Sequence, residues 1–188
     1  MPDSRLQDIS DQLRQHTPLD ATEAAHLAAT LHFLEVCISN PLSRDTPEGH
    51  MTASCVAIHP HQPWMVILWH KKIGRWVQPG GHVEDSDASV ADASLRELCE
   101  ETGASVTDIQ TFLGIIDVDI HPIPAHKDQP EHLHYDVRFG FVMSENWEPG
   151  EDTQWMPAAD VIANLDPPTA RLGRKVLALR PMTDDSNQ

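Results

Sequence analysis

Residues 80–104 read GGHVEDSDASVADASLRELCEETGA, and their second half decides what the chain can be. Arg96-Glu97-Leu98-Cys99-Glu100-Glu101-Thr102-Gly103 sets three carboxylates within five residues, just ahead of a glycine. On a helix, Glu101 lies one turn beyond Glu97 and Glu100 lies three residues beyond it, so all three project from one face. Like charges at that spacing repel. A divalent cation removes the cost, and carboxylate oxygens with room for water and phosphate oxygens are what magnesium prefers. The stretch reads as a loop–helix magnesium site for phosphoryl chemistry. Three glutamates alone also fit a solvated helix face; the glycine loop and Arg96 in register favour the site.

Working outward, the helix is expected to start near 86–89, capped by Asp87 or Ser89. Ala91, Leu95, Leu98 and Thr102 form its packed stripe, and Gly103 stands where a C-terminal glycine belongs. Upstream, 51–59 and 64–70 are strand-like runs joined by Pro60-His61-Gln62-Pro63, a hairpin signal. A basic turn over 71–75 then leads into the glycines. Still earlier, Leu6, Ile9 and Leu13 recur at helical spacing, Thr17-Pro18 breaks the run, and Asp20 with Glu23 resembles a capping box opening a helix over 21–39. Its apolar positions include Leu27, Leu31, Leu34 and Ile38. Downstream, 109–120 and 135–143 read as strands flanking a long loop over 121–134, rich in histidine and proline. An acidic loop over 145–153, a strand over 154–156, helices over 158–164 and 171–179, and a tail over 182–188 complete the chain. The expected organisation is a helical extension over 1–44, an α/β domain with a mixed sheet over 45–180, and a flexible tail over 181–188.

Composition bounds the function. The chain has 188 residues, 40% of them hydrophobic, and a formal net charge of −16. That charge argues against a nucleic-acid partner, whose binding rests on Lys and Arg neutralising phosphates. Small phosphorylated substrates stay open, because a bound metal reverses the local sign. No apolar run approaches the ~20 residues that cross a bilayer, so no membrane partner is expected. Cys37, Cys55 and Cys99 are odd in number and share no C-x-x-C spacing, which fits reduced thiols in a cytoplasmic protein.

Residues 81–104 resemble the Nudix box, G-x5-E-x7-R-E-U-x-E-E-x-G-U, where U is a bulky apolar residue. Arg96, Glu97, Leu98, Glu100, Glu101 and Gly103 all stand in place. The loop half is one residue longer than the pattern, and its first acidic position falls on Asp87 or on Glu84. Thr52-Ala53-Ser54, the approach W-x-Q-P-G-G-H ending at His82, and H-x-D-x-R at His134, Asp136 and Arg138 are similar to a bacterial Nudix subgroup with this longer loop. The resemblance spans about residues 45–165. It implies an α/β/α sandwich with a mixed sheet, and hydrolysis of a diphosphate linkage in a nucleoside-diphosphate derivative with Mg2+ or Mn2+. The implied metal ligands are Glu97, Glu100, Glu101 and the carbonyl of Gly81. Glu97 or Glu100 is implied to orient water, with Arg96 holding the carboxylates. The chemistry agrees: water attacking phosphorus needs a metal to lower its pKa and a carboxylate to take its proton.

Such enzymes often draw a base from a loop near the last strand. Gln154 cannot ionise, which leaves Glu151 or Asp152. Twelve histidines are present, and His132, His134 and Asp136 share one side of a strand. Imidazole with carboxylate is a transition-metal ligand set. His50, His82, His134 and Asp136 also sit where isopentenyl-diphosphate isomerase, a remote Nudix relative, binds a second metal; contact with substrate, or structural hydrogen bonding, is the other reading of these four. That relative's reactive cysteine would fall at Gly80, which disfavours isomerase activity. A non-catalytic ligand sensor on the same fold is the remaining alternative. Arg138, Lys72 and Arg75 are candidates for meeting substrate phosphates.

Overall fold

The computed structural model describes residues 3–126 and 130–179. Two helices open it, α1 (Ser4–Gln15) and α2 (Ala21–Val36). Then come β1 (Gly49–Ile58), β2 (Trp64–His70), β3 (Arg75–Val77), β4 (Gly80–His82), α3 (Val90–Thr102), β5 (Ile109–Ile123), β6 (His132–Met143), β7 (Thr153–Pro157), α4 (Ala158–Asn164) and α5 (Pro167–Ala178). The strands form one mixed sheet in the order β3-β2-β1-β6-β5, with β4 paired to β1 and β7 to β2. β1 and β6 run parallel; β5 runs antiparallel to β6. This is the expected α/β architecture. Among the described residues, no helix is long and apolar enough to cross a membrane.

β1 is buried along its whole length because both its faces are covered. Met51, Ala53, Cys55 and Ala57 join Val137, Phe139 and Phe141 in one core, beneath α1, α2 and α3. Val56 and Ile58 on the opposite face pack with Leu172 and Val176 of α5 and Val161 of α4. Alternation along a strand makes this division. The helices on the two faces complete the three layers.

The N-terminal helices belong to the first core. Ile9 and Leu13 are buried there, and Phe33 stacks on Tyr135 of β6 with ring centroids 4.0 Å apart. Asp20 caps α2 as expected, accepting the Glu23 N–H at 2.9 Å. The reciprocal half of the capping box is replaced, because the Glu23 carboxylate accepts from Leu19 N–H, pairs with His16 and takes the Lys175 ammonium of α5. α2 also stops at Val36, so Ile38 lies past its end and fully exposed.

Two further boundaries move. The expected loop over 121–134 shrinks, since β5 runs on to Ile123 and β6 starts at His132. Residues 127–129 of that loop, and the tail over 181–188, lie outside the described residues. Pro122 is tolerated in β5 because β5 is an edge strand of the sheet, where a missing N–H leaves no ladder broken. The last helix begins at Pro167, with Asp166 accepting the Thr169 N–H as its cap.

Burial alone would raise the pKa of Glu23; His16, Lys175 and the Leu19 N–H outweigh it and lower the carboxyl from 4.5 to about 2. A carboxyl depressed on folding stabilises above its unfolded pKa and loses that contribution as pH falls through the native value. The difference in urea midpoint between the parent protein and Glu23→Gln is therefore expected to be full near neutrality. It should shrink as pH drops from about 4.5 towards about 2. A gap of constant size across that window would contradict the assignment.

Candidate active site

The ends of α3 and the strands beneath it decide where its carboxylates go. Ser89 Oγ accepts the Asp92 N–H at 3.0 Å and opens the helix, and Gly103, at φ 75°, closes it. Val90, Ala93, Leu98 and Thr102 are buried, and Ser94 Oγ donates to the Ser54 carbonyl of β1 at 2.8 Å. That anchorage lays the helix along β4. The Gly80 N–H donates to Glu101 Oε2 at 2.9 Å. A Cβ on Gly81 would stand 2.3 Å from Glu97 Oε1, so this approach of strand to carboxylate requires glycine. Glu100 points outward, its side chain 58% exposed.

Arg96 organises the loop half. Its Nε and Nη2 donate to the two oxygens of Asp87, each at 3.0 Å. Nη2 also donates to the His82 carbonyl at 2.8 Å, while Nη1 reaches Glu97 at 2.8 Å and Glu100 at 3.3 Å. The loop acid that answers Arg96 is thus Asp87, and Glu84 meets Asp87 through its backbone, its N–H donating to Asp87 Oδ2 and its carbonyl accepting the Asp87 N–H. Burial would raise Asp87; the Arg96 guanidinium and the Glu84 N–H outweigh it and hold the carboxyl below its ordinary value.

The glutamates go the other way. Burial raises Glu97 despite Arg96. Burial, with Glu97 and Glu100 close by, pushes Glu101 up to about 7 even though the Gly80 N–H opposes the shift. Carboxylates gathered under one guanidinium have a deficit of positive charge. An oxygen-preferring divalent cation fits this donor set.

Histidines occupy the opposite face of the same strands. The β1–β6 register sets His50 beside His134, Thr52 beside Asp136 and Ser54 beside Arg138; the β1–β4 register sets His82 beside Thr52 and Gly81 beside Ala53. Adjacent residues of β4 therefore serve opposite faces, Gly81 towards α3 and His82 towards the histidines. His50, His82 and His134 offer nitrogens that all lie within 4.8 Å of one another. His132 lies 5.0 Å from His50, and His121 lies 5.4 Å from His134, centroid to centroid. Burial first, then neighbouring imidazoles, lowers His50 to about 4 and His134 to about 2, so both rings are neutral.

Two of the expected site residues are placed elsewhere in function. Asp136 shares the histidine face, but its carboxylate accepts from Thr52, Ser54 and Arg138, so it is spent on the sheet and stands outside the three-histidine group. Arg138 does not face a cleft. It is 2% exposed and donates to Asp136, Asp117 and Asp119, which leaves it no reach to a substrate phosphate. Lys72 and Arg75 are exposed at the β2–β3 turn. Glu151 is exposed in a loop tied to the end of α3 by the Gly150 N–H on the Thr102 carbonyl, 3.0 Å, and Asp152 pairs with Lys71. A side chain at Gly80 would put its Cβ 2.6 Å from Ser54 Cα, so the strand has no room for a reactive cysteine there.

Sequence reasoning missed the buried ion network of Asp117 and Asp119 with Arg138, Arg171 and Lys175. Its signal was available: two acids alternating within an apolar strand must find buried cations.

A family model described as "NUDIX domain" matches residues 49–179. The chain belongs to the Nudix family. No curated protein matches it by sequence. Among solved structures, a C. elegans Ap4A hydrolase is similar over 68% of this chain and 96% of its own, at 17% identity and a TM-score of 0.53. A Nudix hydrolase from M. smegmatis, RenU, is similar over 71% of this chain and 90% of its own, at 17% identity and a TM-score of 0.51. At such identities the likeness is one of fold.

The two acids that the sequence left open for the loop are separable by substitution. Asp87→Asn removes the charged partner of a bidentate Arg96 and is expected to cost about 2 kcal/mol in chemical denaturation. Glu84→Gln keeps its N–H and should change stability by less than about 0.5 kcal/mol. Equal losses would show that Arg96 does not depend on Asp87.

Proposed function

We propose that the chain is a metal-dependent hydrolase that cleaves a diphosphate linkage in a nucleoside-diphosphate derivative or a related small phosphorylated compound. The observation that carries this reading is the contact of Glu97 and Glu101 with the Gly80–Gly81 backbone, which holds two acids ready before any cation arrives. Glu97, Glu100, Glu101 and the Gly81 carbonyl are the proposed ligands, and Mg2+ or Mn2+ suits their oxygens. When bound, the cation neutralises phosphate oxygens and lowers the pKa of water.

The remaining work falls to the chain. Arg96 keeps Glu97 and the loop in register through Asp87 and the His82 carbonyl. Glu100, exposed at the edge of the cluster with Oε2 on Arg96 Nη1 at 3.3 Å, has its other oxygen to take the attacking water's proton where it does not ligate the cation. Glu151 is the alternative base from outside the helix. Lys72 and Arg75, exposed beside the box, are candidates for the distal phosphate. Free thiols at Cys37, Cys55 and Cys99 suit a cytoplasmic setting.

The test is a hydrolysis screen with Mg2+ and with Mn2+. Dinucleoside polyphosphates come first, given the Ap4A hydrolase among the similar structures, followed by nucleotide sugars, ADP-ribose, NADH and nucleoside triphosphates. Glu101→Gln and Glu100→Gln are each expected to lower turnover of the preferred compound by about 100-fold or more. Release of no phosphate-containing product from the whole panel, with melting temperature raised by one of its members, would favour a ligand sensor instead.

A further inference from the structure

His50, His82 and His134 come from three neighbouring strands, β1, β4 and β6, whose register is fixed by backbone pairing. Their nitrogens converge within 4.8 Å. His50 is 1% exposed, and neither of its ring nitrogens has a hydrogen-bond partner among the described residues. His134 Nε2 is buried and unpartnered in the same way. Three orphaned nitrogens at one point are costly, because a buried polar group without a partner loses its hydration and gains nothing. Ring stacking among histidines does not offset that loss, since it leaves the lone pairs unused.

Water could satisfy one or two of these atoms, but three imidazoles whose nitrogens converge are above all a ligand set. We propose that His50, His82 and His134 bind a divalent d-block cation of the zinc, iron or cobalt class, at a site separate from the α3 carboxylates. Donor chemistry assigns the metal: imidazole nitrogens select these ions, whereas magnesium keeps to oxygen. Three protein ligands leave a coordination position open, the composition of reactive rather than purely structural sites. Strand alternation keeps the two sites apart, Gly81 facing α3 and His82 facing the histidines. Asp136 lies outside the group whose ligand atoms converge, its carboxylate accepting instead from Thr52, Ser54 and Arg138. The inference does not depend on the hydrolytic reading.

The experiment uses the full chain without an affinity tag of histidines, stripped with chelator and titrated with Co2+ in millimolar Mg2+, which occupies oxygen sites. The parent protein is expected to bind one Co2+ per chain with visible ligand-field absorption, and Zn2+ should displace it. Glu97→Gln and the exposed His32→Ala should bind as the parent does. His50→Gln and His134→Ala should each weaken binding by more than about 100-fold, beyond the losses typical of outer-shell changes. Zn2+ should raise the melting temperature of the parent and not of the folded variants. Equal Co2+ binding by parent and both histidine variants would overturn the proposal. So would a parent protein that binds no Co2+ at micromolar concentrations, which decides the matter even where a variant fails to fold.

Discussion

Strand β4 is three residues long, and the site depends on how closely its backbone approaches α3. Gly80 donates its N–H to Glu101, and Gly81 has no Cβ to keep Glu97 away. The same strand pairs with β1 across Thr52, Ala53 and Ser54, while Ser94 ties α3 to the Ser54 carbonyl. Helix, short strand and central strand thus form a closed set of contacts, so the carboxylates sit on rigid elements rather than on a loop. Held in this geometry, Glu101 is pushed up to about 7, first by its burial and then by the nearness of Glu97 and Glu100.

Features set by local periodicity were legible in the sequence. The caps of α3, the spacing of its acids and the glycine stop each depend on residues within a turn or two of one another. Features set by long-range pairing were not. The hairpin of β1 and β2 is present, yet the two strands meet in register only at Ile58 and Met65 before each turns to another partner, β1 to β4 and β6, β2 to β7. Nothing local announces that β1 will lie parallel to β6 and bring His50 beside His134. Alternation correctly put His134, Asp136 and Arg138 on one face; what it could not supply was the depth of burial. Arg138 lies under α5, where Asp117 and Asp119 take it, and the prolines that suggested a loop sit partly on an edge strand that tolerates them.

Charge is distributed to match. A net charge of −16 would make any phosphate-binding cleft repulsive, yet several of the chain's cations are committed internally. Arg138, Arg171 and Lys175 are consumed by Asp117, Asp119, Asp136 and Glu23, and Arg96 is consumed by the box itself. The exposed basic groups near the box include the side chains of the β2–β3 turn and Arg44, whose charge acts on His82. On the proposed function, a polyphosphate approaching α3 would meet acids first, and a bound cation would reverse the local sign before it could bind.

The N-terminal helices enter the same argument through one residue. Arg5 of α1 is held by the Asp3 carboxylate and donates to the backbone carbonyls of Glu84 and Asp87, at 2.9 and 3.1 Å. Those carbonyls belong to the loop that is one residue longer than the family pattern. Extra length adds conformational freedom that must be removed if Asp87 is to meet Arg96. Arg5 removes it from the solvent side while Arg96 does so from the helix side. Because α1 is itself fixed by Ile9 and Leu13 in the main core, the brace is rigid. The extension therefore braces the box loop as well as covering the sheet, because Arg5 supplies a partner for two of the loop's carbonyls.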